Sequence, residues 1–254
     1  MNERPDTDQI DVKLVDTAEP EVPVEAQVST LRLVATLAVA GALAGLLIVL
    51  VNLHTKPIID EYRAEQLKLA VYEVLPGAAR YHTLYLVDGV LSASVPEGAK
   101  AADFRQAYVG YDDTEEMIGV AVSRGESGFQ DIVLVIFGFE PDSGILLGMK
   151  VLESKETPGL GDKIFKDQVF VDQFFARPQT PLAAIKAGSG KGLPGEIDAI
   201  TGATISSKVV VSIINNGIAN WQPVLQQGIP EEAPGEPPLR RRISYAESGR
   251  KTRC

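Results

Sequence analysis

The chain has 254 residues, with 34 acidic against 24 basic side chains and a formal net charge of −10; this acidic balance argues against nucleic acid as a partner. The length suffices for one sizeable domain plus attachments. Its two histidines, His54 and His82, are far apart and its one cysteine is Cys254, so no disulfide framework and no zinc, haem or iron–sulfur ligand set can be built from these side chains, and any redox chemistry requires an organic cofactor.

Residues 1–30 are acidic, proline-bearing and poor in aromatics, which reads as a solvated, disordered tail. Leu33 to Leu53 is a 21-residue run without a charge, its only polar members being Thr36 and Asn52. At ~1.5 Å of rise per residue such a run crosses a hydrocarbon layer of ~30 Å. The long acidic leader, and the lack of a small-residue cleavage site over Asn52–Pro57, favour an uncleaved single-pass anchor over 31–54 rather than a secretory signal. Gly41 and Gly45 form a G-x-x-x-G within it, either a close-packing face for another helix or the ordinary small-residue content of membrane helices. Lys13 and Arg32 flank one side while Lys56, Arg63 and Lys68 flank the other, so the positive-inside count leaves the orientation open.

Ile58 to Leu75 reads as a linking helix stopped by Pro76-Gly77. Strands follow. Leu84–Val87 and Val90–Ser94 flank the hairpin signal Asp88-Gly89. Ala107–Tyr111, Met117–Val122, Asp131–Phe139 and Ile145–Leu152 continue the pattern, the last two joined by the turn Pro141-Asp142-Ser143-Gly144. Such short connections predict antiparallel pairing. Gly125–Phe129 reads as a glycine-bearing loop, either a place for a flat ring or an ordinary turn.

Glu156-Thr157-Pro158-Gly159-Leu160-Gly161 is a defined loop, because proline fixes one backbone angle and the glycines permit unusual ones. Phe165–Phe175 reads as a helix with aromatic core anchors, and Ala183–Gly192 as a strand followed by a glycine-rich turn. The stretch Asp198 to Ser207 is a tight turn opening a helix. Gly202 and Ala203 allow a sharp bend and close approach, while Thr201, Thr204, Ser206 and Ser207 supply capping hydroxyls. Ile205, Val209, Val210, Ile213 and Ile214 recur at helical spacing and predict its buried face. A helix start of this kind favours a phosphate. After Trp221 the prolines and Arg240-Arg241-Arg242 of residues 223–254 read as a flexible tail. The fold class is α+β: an N-terminal membrane helix, then one domain over 55–222 with a mainly antiparallel sheet and flanking helices.

No Walker loop, G-x-S-x-G elbow, H-E-x-x-H pair or Rossmann fingerprint occurs, so neither hydrolase, kinase nor direct NADH binding has support, and no catalytic or metal-ligating residue is assigned. D-A-I-T-G-A-T at 198–204, with E-T-P-G-L-G at 156–161, resembles the FMN-binding domain of the G subunit of Rnf electron-transport complexes. It is also similar to the C subunit of the sodium-translocating NADH:quinone reductase. The resemblance implies that a separate flavin transferase esterifies Thr204 to the phosphate of FMN. It further implies that Thr201, Gly202, Ala203 and Ser207 form the acceptor site, Thr201 standing where many relatives have serine. Glu156, Thr157, Leu160 and Gly161 would lie near the isoalloxazine, Lys163 would either hold negative charge near the reduced ring or be an ordinary solvated lysine, and Asp198 would begin the pattern that the transferase recognises.

By the same resemblance the N-terminus is cytoplasmic and the FMN domain extracytoplasmic, on the periplasmic side of a bacterial inner membrane. The implied role is an electron-carrier subunit, working with other membrane subunits of an Rnf-type complex that relays electrons between ferredoxin and NAD and moves sodium or protons. A single span without ionisable residues offers no ion path, so pumping falls to other subunits. Alternatives are the quinone-reductase C subunit, whose members usually run longer, a stand-alone tethered flavoprotein, and a non-redox scaffold whose T-G-A-T only caps a helix.

Overall fold

A computed structural model of the chain describes residues 29–177 and 181–230. The expected acidic tail, and the proline- and arginine-rich stretch beyond residue 230, lie outside the described residues apart from their inner ends. The chain divides into two compact units, Met1–Pro57 and Ile58–Cys254. Helix α1, Thr30–Val74, contributes to both and contains Pro57. In the first unit its most apolar window has a mean hydropathy of 2.7 and no residue buried, and by length and composition it can cross a membrane. Leu37, Leu43 and Leu47 are more than half exposed there, the pattern of a helix whose apolar surround is lipid.

The second unit is built on one six-stranded antiparallel sheet. Its strands are β1 Arg80–Val87, β2 Val90–Ser92, β3 Arg105–Tyr111, β4 Met117–Ser127, β5 Ile132–Phe139 and β6 Leu146–Glu153, in the order β2-β1-β3-β4-β5-β6. The Asp88-Gly89 hairpin forms as its turn chemistry predicts, with Val87 opposite Val90 and positive φ at both turn residues. Side chains of a strand alternate between faces, and both faces here are covered. Tyr108, Ala121 and Ile136 meet the end of α1 at Ala70, Val71 and Val74. Val109, Val122, Val135 and Phe137 meet the last helix, α4 (Thr204–Leu225).

Beyond β6 come α2 Lys163–Lys166, α3 Gln168–Asp172, β7 Ala183–Ile185, β8 Glu196–Asp198 and α4 Thr204–Leu225. β7 and β8 pair in parallel as a separate small sheet. Four local expectations are corrected. Phe165–Phe175 is two short helices, because Asp167 is extended and caps the second by accepting from the N–H groups of Val169 and Phe170. β4 runs on to Ser127, pairing with β5 as far as Ile132, so the loop expected over Gly125–Phe129 shrinks to a turn at Gly128. α4 passes Trp221 and Pro223 to Leu225 because Trp221 and Leu225 are both buried in the core. Ile205, expected on the buried face of α4, is 53% exposed while Ser206 and Ser207 beside it are buried: the packed stripe runs through Ser207, Val210, Ile214 and Trp221, and at about 3.6 residues per turn Ile205 falls on the other side of the helix.

Candidate functional site

The approach to α4 is shaped by three small features. Gly202 turns the chain with φ +84, a left-handed conformation that suits glycine. Ala203 is the N-cap and makes no side-chain capping bond. Ser207, expected to cap a helical N–H, instead faces the approaching chain: its Oγ donates to Ala203 O at 2.9 Å and accepts from Ile200 N at 3.1 Å. The first-turn N–H groups are thus left without a side-chain cap, and Thr204, the first helical residue, is exposed beside them.

That helix start forms one wall of a cleft of about 340 Å³, with Gly202 to Ser206 on one side, Thr157, Leu160 and Gly161 on a second, and Phe129 on a third. This is within the ~300–1,000 Å³ usual for small-molecule sites. Three large apolar side chains rim it in contact with solvent: Phe129 at 66%, Leu160 at 49% and Ile205 at 53% exposure. Beneath them Glu156 is buried. Its Oε1 accepts from Phe129 N at 2.8 Å and Gln130 N at 3.1 Å, and its Oε2 accepts from Ser206 Oγ at 2.8 Å. One carboxylate therefore ties together all three walls. Thr157 Oγ1 donates to Gln130 Oε1 at 3.1 Å, a second link between two of them.

Asp162 finishes the 156–161 loop by accepting from Gly159 N at 2.8 Å and from Lys166 Nζ at 2.6 Å. The Lys166 ammonium holds the Asp162 carboxyl below its ordinary range, against the opposing effect of partial burial.

Of the residues singled out in the sequence, Glu156, Thr157, Leu160, Gly161, Gly202, Ala203 and Thr204 line the cleft. Thr201 is exposed beside Gly202, and Ser207 is buried below the site. Lys163 opens α2 and lies outside the lining. Asp198 lies apart, at the end of β8. Its Oδ1 accepts from Gly188 N at 3.2 Å, and its backbone exchanges two bonds with the Gln173 amide. Ser206 and Ile205 enter the site unannounced, and Phe129 enters from a loop read two ways. Their only local signal is placement: each adjoins a turn where the regular pattern of its element breaks.

An α+β unit with a cleft at a helix start, small-residue on one wall and apolar on its rim, has the build of a nucleotide-cofactor domain. Residues 128–219 match the family model described as an FMN-binding domain. The chain is 34% identical over 185 residues to the G subunit of the Na(+)-translocating ferredoxin:NAD(+) oxidoreductase complex of Acetobacterium woodii, covering 72% of this chain and 87% of that one. It is 30% identical over 187 residues to the G subunit of the ion-translocating oxidoreductase complex of Methanosarcina acetivorans, covering 74% and 92%. In fold it is similar to NqrC of Shewanella oneidensis, with a TM-score of 0.54 at 17% identity over 66% of this chain and 98% of that one. The chain belongs to the family of G subunits of ion-translocating oxidoreductase complexes, as a membrane-anchored redox subunit with an FMN-binding domain.

The cleft suits FMN on its own chemistry. Uncapped N–H groups and the positive end of the α4 dipole favour a phosphate, glycine and alanine leave room for it, and Phe129, Leu160 and Ile205 offer apolar contact to a flat ring.

Proposed function

We propose that the chain carries FMN as a phosphoester on Thr204 and serves as an electron carrier of an Rnf-type complex, on the periplasmic side of a bacterial inner membrane. The observation that carries this reading is the position of Thr204, an exposed hydroxyl side chain at the first residue of a helix without a side-chain cap, in the wall of an apolar-rimmed cleft. Bound FMN supplies a store for two electrons that can be released singly. The protein's own part is to hold the phosphate at the helix start, enclose the ring between Phe129, Leu160 and Ile205, and keep the site on a rigid sheet. In the maturation step the Thr204 Oγ–phosphorus bond forms, the hydroxyl proton is lost, and the group bonded to that phosphorus in the flavin donor leaves. A separate flavin transferase performs this step, recognising the run that starts at Asp198; Thr201, Gly202, Ala203 and Ser207 shape the acceptor, and Lys163 stands by as a cation.

The proposed organisation is an anchor over 31–54, an FMN domain from 55 through the end of α4 at Leu225, and a tail beyond it, with a cytoplasmic N-terminus. Its partners are the other membrane subunits, which relay electrons between ferredoxin and NAD and move the ion. The family names of its relatives support that assignment. In-gel fluorescence after full denaturation tests the bond: protein from a host competent to load flavin fluoresces, and Thr204→Val abolishes the signal while the chain still inserts in the membrane. Fluorescence persisting in Thr204→Val would move the bond to another residue. A dark wild-type band would sink the covalent reading.

A further inference from the structure

We infer that Glu156 is a positioning residue which fixes Phe129 against the start of α4 and lowers the reduction potential of a flavin in the cleft through its buried charge. The inference rests on the reading that this cleft holds FMN. Glu156 is 5% exposed, yet none of the ion pairs among the described residues includes it. Its donors are neutral: two successive backbone N–H groups, of Phe129 and Gln130, and the hydroxyl of Ser206. Backbone N–H bonds to a carboxylate are charge-assisted and short, and they hold the turn that presents the Phe129 ring. Ser206 lies two residues beyond Thr204 in the first turn of α4, where the helix dipole also favours an anion.

The surrounding glycines show that this placement is built in. A Cβ at Gly128 would collide with Glu156 Oε1, and one at Gly161 would stand 2.6 Å from Oε2 and 3.0 Å from Ser206 Oγ. The carboxylate fills the space both glycines leave.

A glutamine would serve the same three neighbours, its Oε1 accepting from both amides and its Nε2 donating to Ser206 Oγ. Burying a charge without an opposite charge is expensive. The bonding pattern alone therefore does not call for the acid, and the negative charge has a second consequence. A fixed anion in a site of low dielectric opposes the arrival of electrons on a neighbouring ring, which lowers that ring's potential. Charge and scaffold are separable by substitution.

The test uses the full-length, flavin-loaded protein with Glu156→Gln and Glu156→Ala. Three readouts are taken: flavin per chain, midpoint potential by spectroelectrochemical titration, and hydrogen exchange of the segment containing Phe129 and Gln130. The flavin-bearing fraction of Glu156→Gln should keep that segment protected and show a potential shifted to more positive values. Glu156→Ala should raise exchange of the segment at least tenfold. An unchanged potential in the flavin-bearing Glu156→Gln protein overturns the charge role, and unchanged exchange in Glu156→Ala overturns the positioning role. If Glu156→Ala does not accumulate, Ser206→Ala takes its place, removing one of the three bonds while leaving the acid. Unchanged exchange there, together with an unchanged potential in Glu156→Gln, overturns the proposal. Wild-type protein without flavin would defeat the FMN reading itself, and the exchange arm would still decide whether Glu156 holds the turn.

Discussion

Asn215 of α4 meets the backbone of Leu182 with both ends of its amide, Oδ1 accepting from Leu182 N and Nδ2 donating to Leu182 O, each at 2.8 Å. The side chain thus pairs as a neighbouring strand would, immediately before β7 begins at Ala183. This fastens the small parallel sheet to α4, and β8 of that sheet leads directly into the turn that carries Thr204.

Asn215→Ala is expected to leave both Leu182 groups without their partner at a largely buried position, a loss of about 1–3 kcal/mol. Asn215→Asp should be at least as harmful, because a carboxylate accepts from Leu182 N but repels Leu182 O. Thermal unfolding of the full chain in detergent measures both. Stability of the aspartate variant equal to wild type would show that the amide's donor end contributes nothing.

Ser207→Ala tests how the helix start is held. Its hydroxyl accepts from Ile200 N and donates to Ala203 O, and the side chain is fully buried. Alanine leaves a buried N–H unsatisfied, at about 1–3 kcal/mol, and frees the turn that presents Thr204. Flavin content per chain should fall in step with stability, although Thr204 itself is intact. Full loading with lowered stability would separate the turn's geometry from the modification.

The larger pattern was legible in the residues because it is local. Asp88-Gly89 and Pro141–Gly144 carry turn chemistry, and the helical spacing of Val210, Ile213 and Ile214 matches their burial in α4. What escaped depends on distant partners. The Glu156 bonds bridge 26, 27 and 50 residues, so no local window shows that this acid is buried and bonded to the two other walls of the cleft. β4 extends through Gly125 because β5 offers partners as far as Ser127–Ile132, overriding the glycine signal. Ile205 keeps a four-residue spacing with Val209, but the face that packs is set by Val210, Ile214 and Trp221, which lie on the other side of the helix.

Glu126 gives a dependence on pH. Burial pushes its carboxyl up, but bonds from Asn216, Arg124 and Ser212 outweigh this and hold it below the ordinary range. The folded protein then binds this proton more weakly than the unfolded chain. Its stabilising contribution is complete above the unfolded carboxylate value of about 4.3 and disappears as pH falls through the lower folded value. Unfolding curves from neutral pH downward should show Glu126→Gln less stable than wild type at neutrality and converging with it in acid. Parallel curves over that range would rule the group out.

Glycines pave the sheet face that meets α1: Gly110 pairs with Gly119 and Gly138 with Gly148. A Cβ at Gly138 would collide with the carbonyl of Val74, which is backbone and cannot swing away, whereas one at Gly148 would rest 3.5 Å from Val74 Cα, an ordinary contact. Gly138→Ala must therefore push the end of α1 off the sheet or bend β5, a loss of about 1–3 kcal/mol or more by analogy with overpacked cores. Gly148→Ala should stay close to wild type, since it adds contact without overlap and removes backbone freedom from the unfolded chain. Both residues face the same turn of the same helix, so differential scanning of the two variants isolates the effect of the close approach. Equal melting temperatures would mean that α1 does not rest on Gly138 in the folded protein.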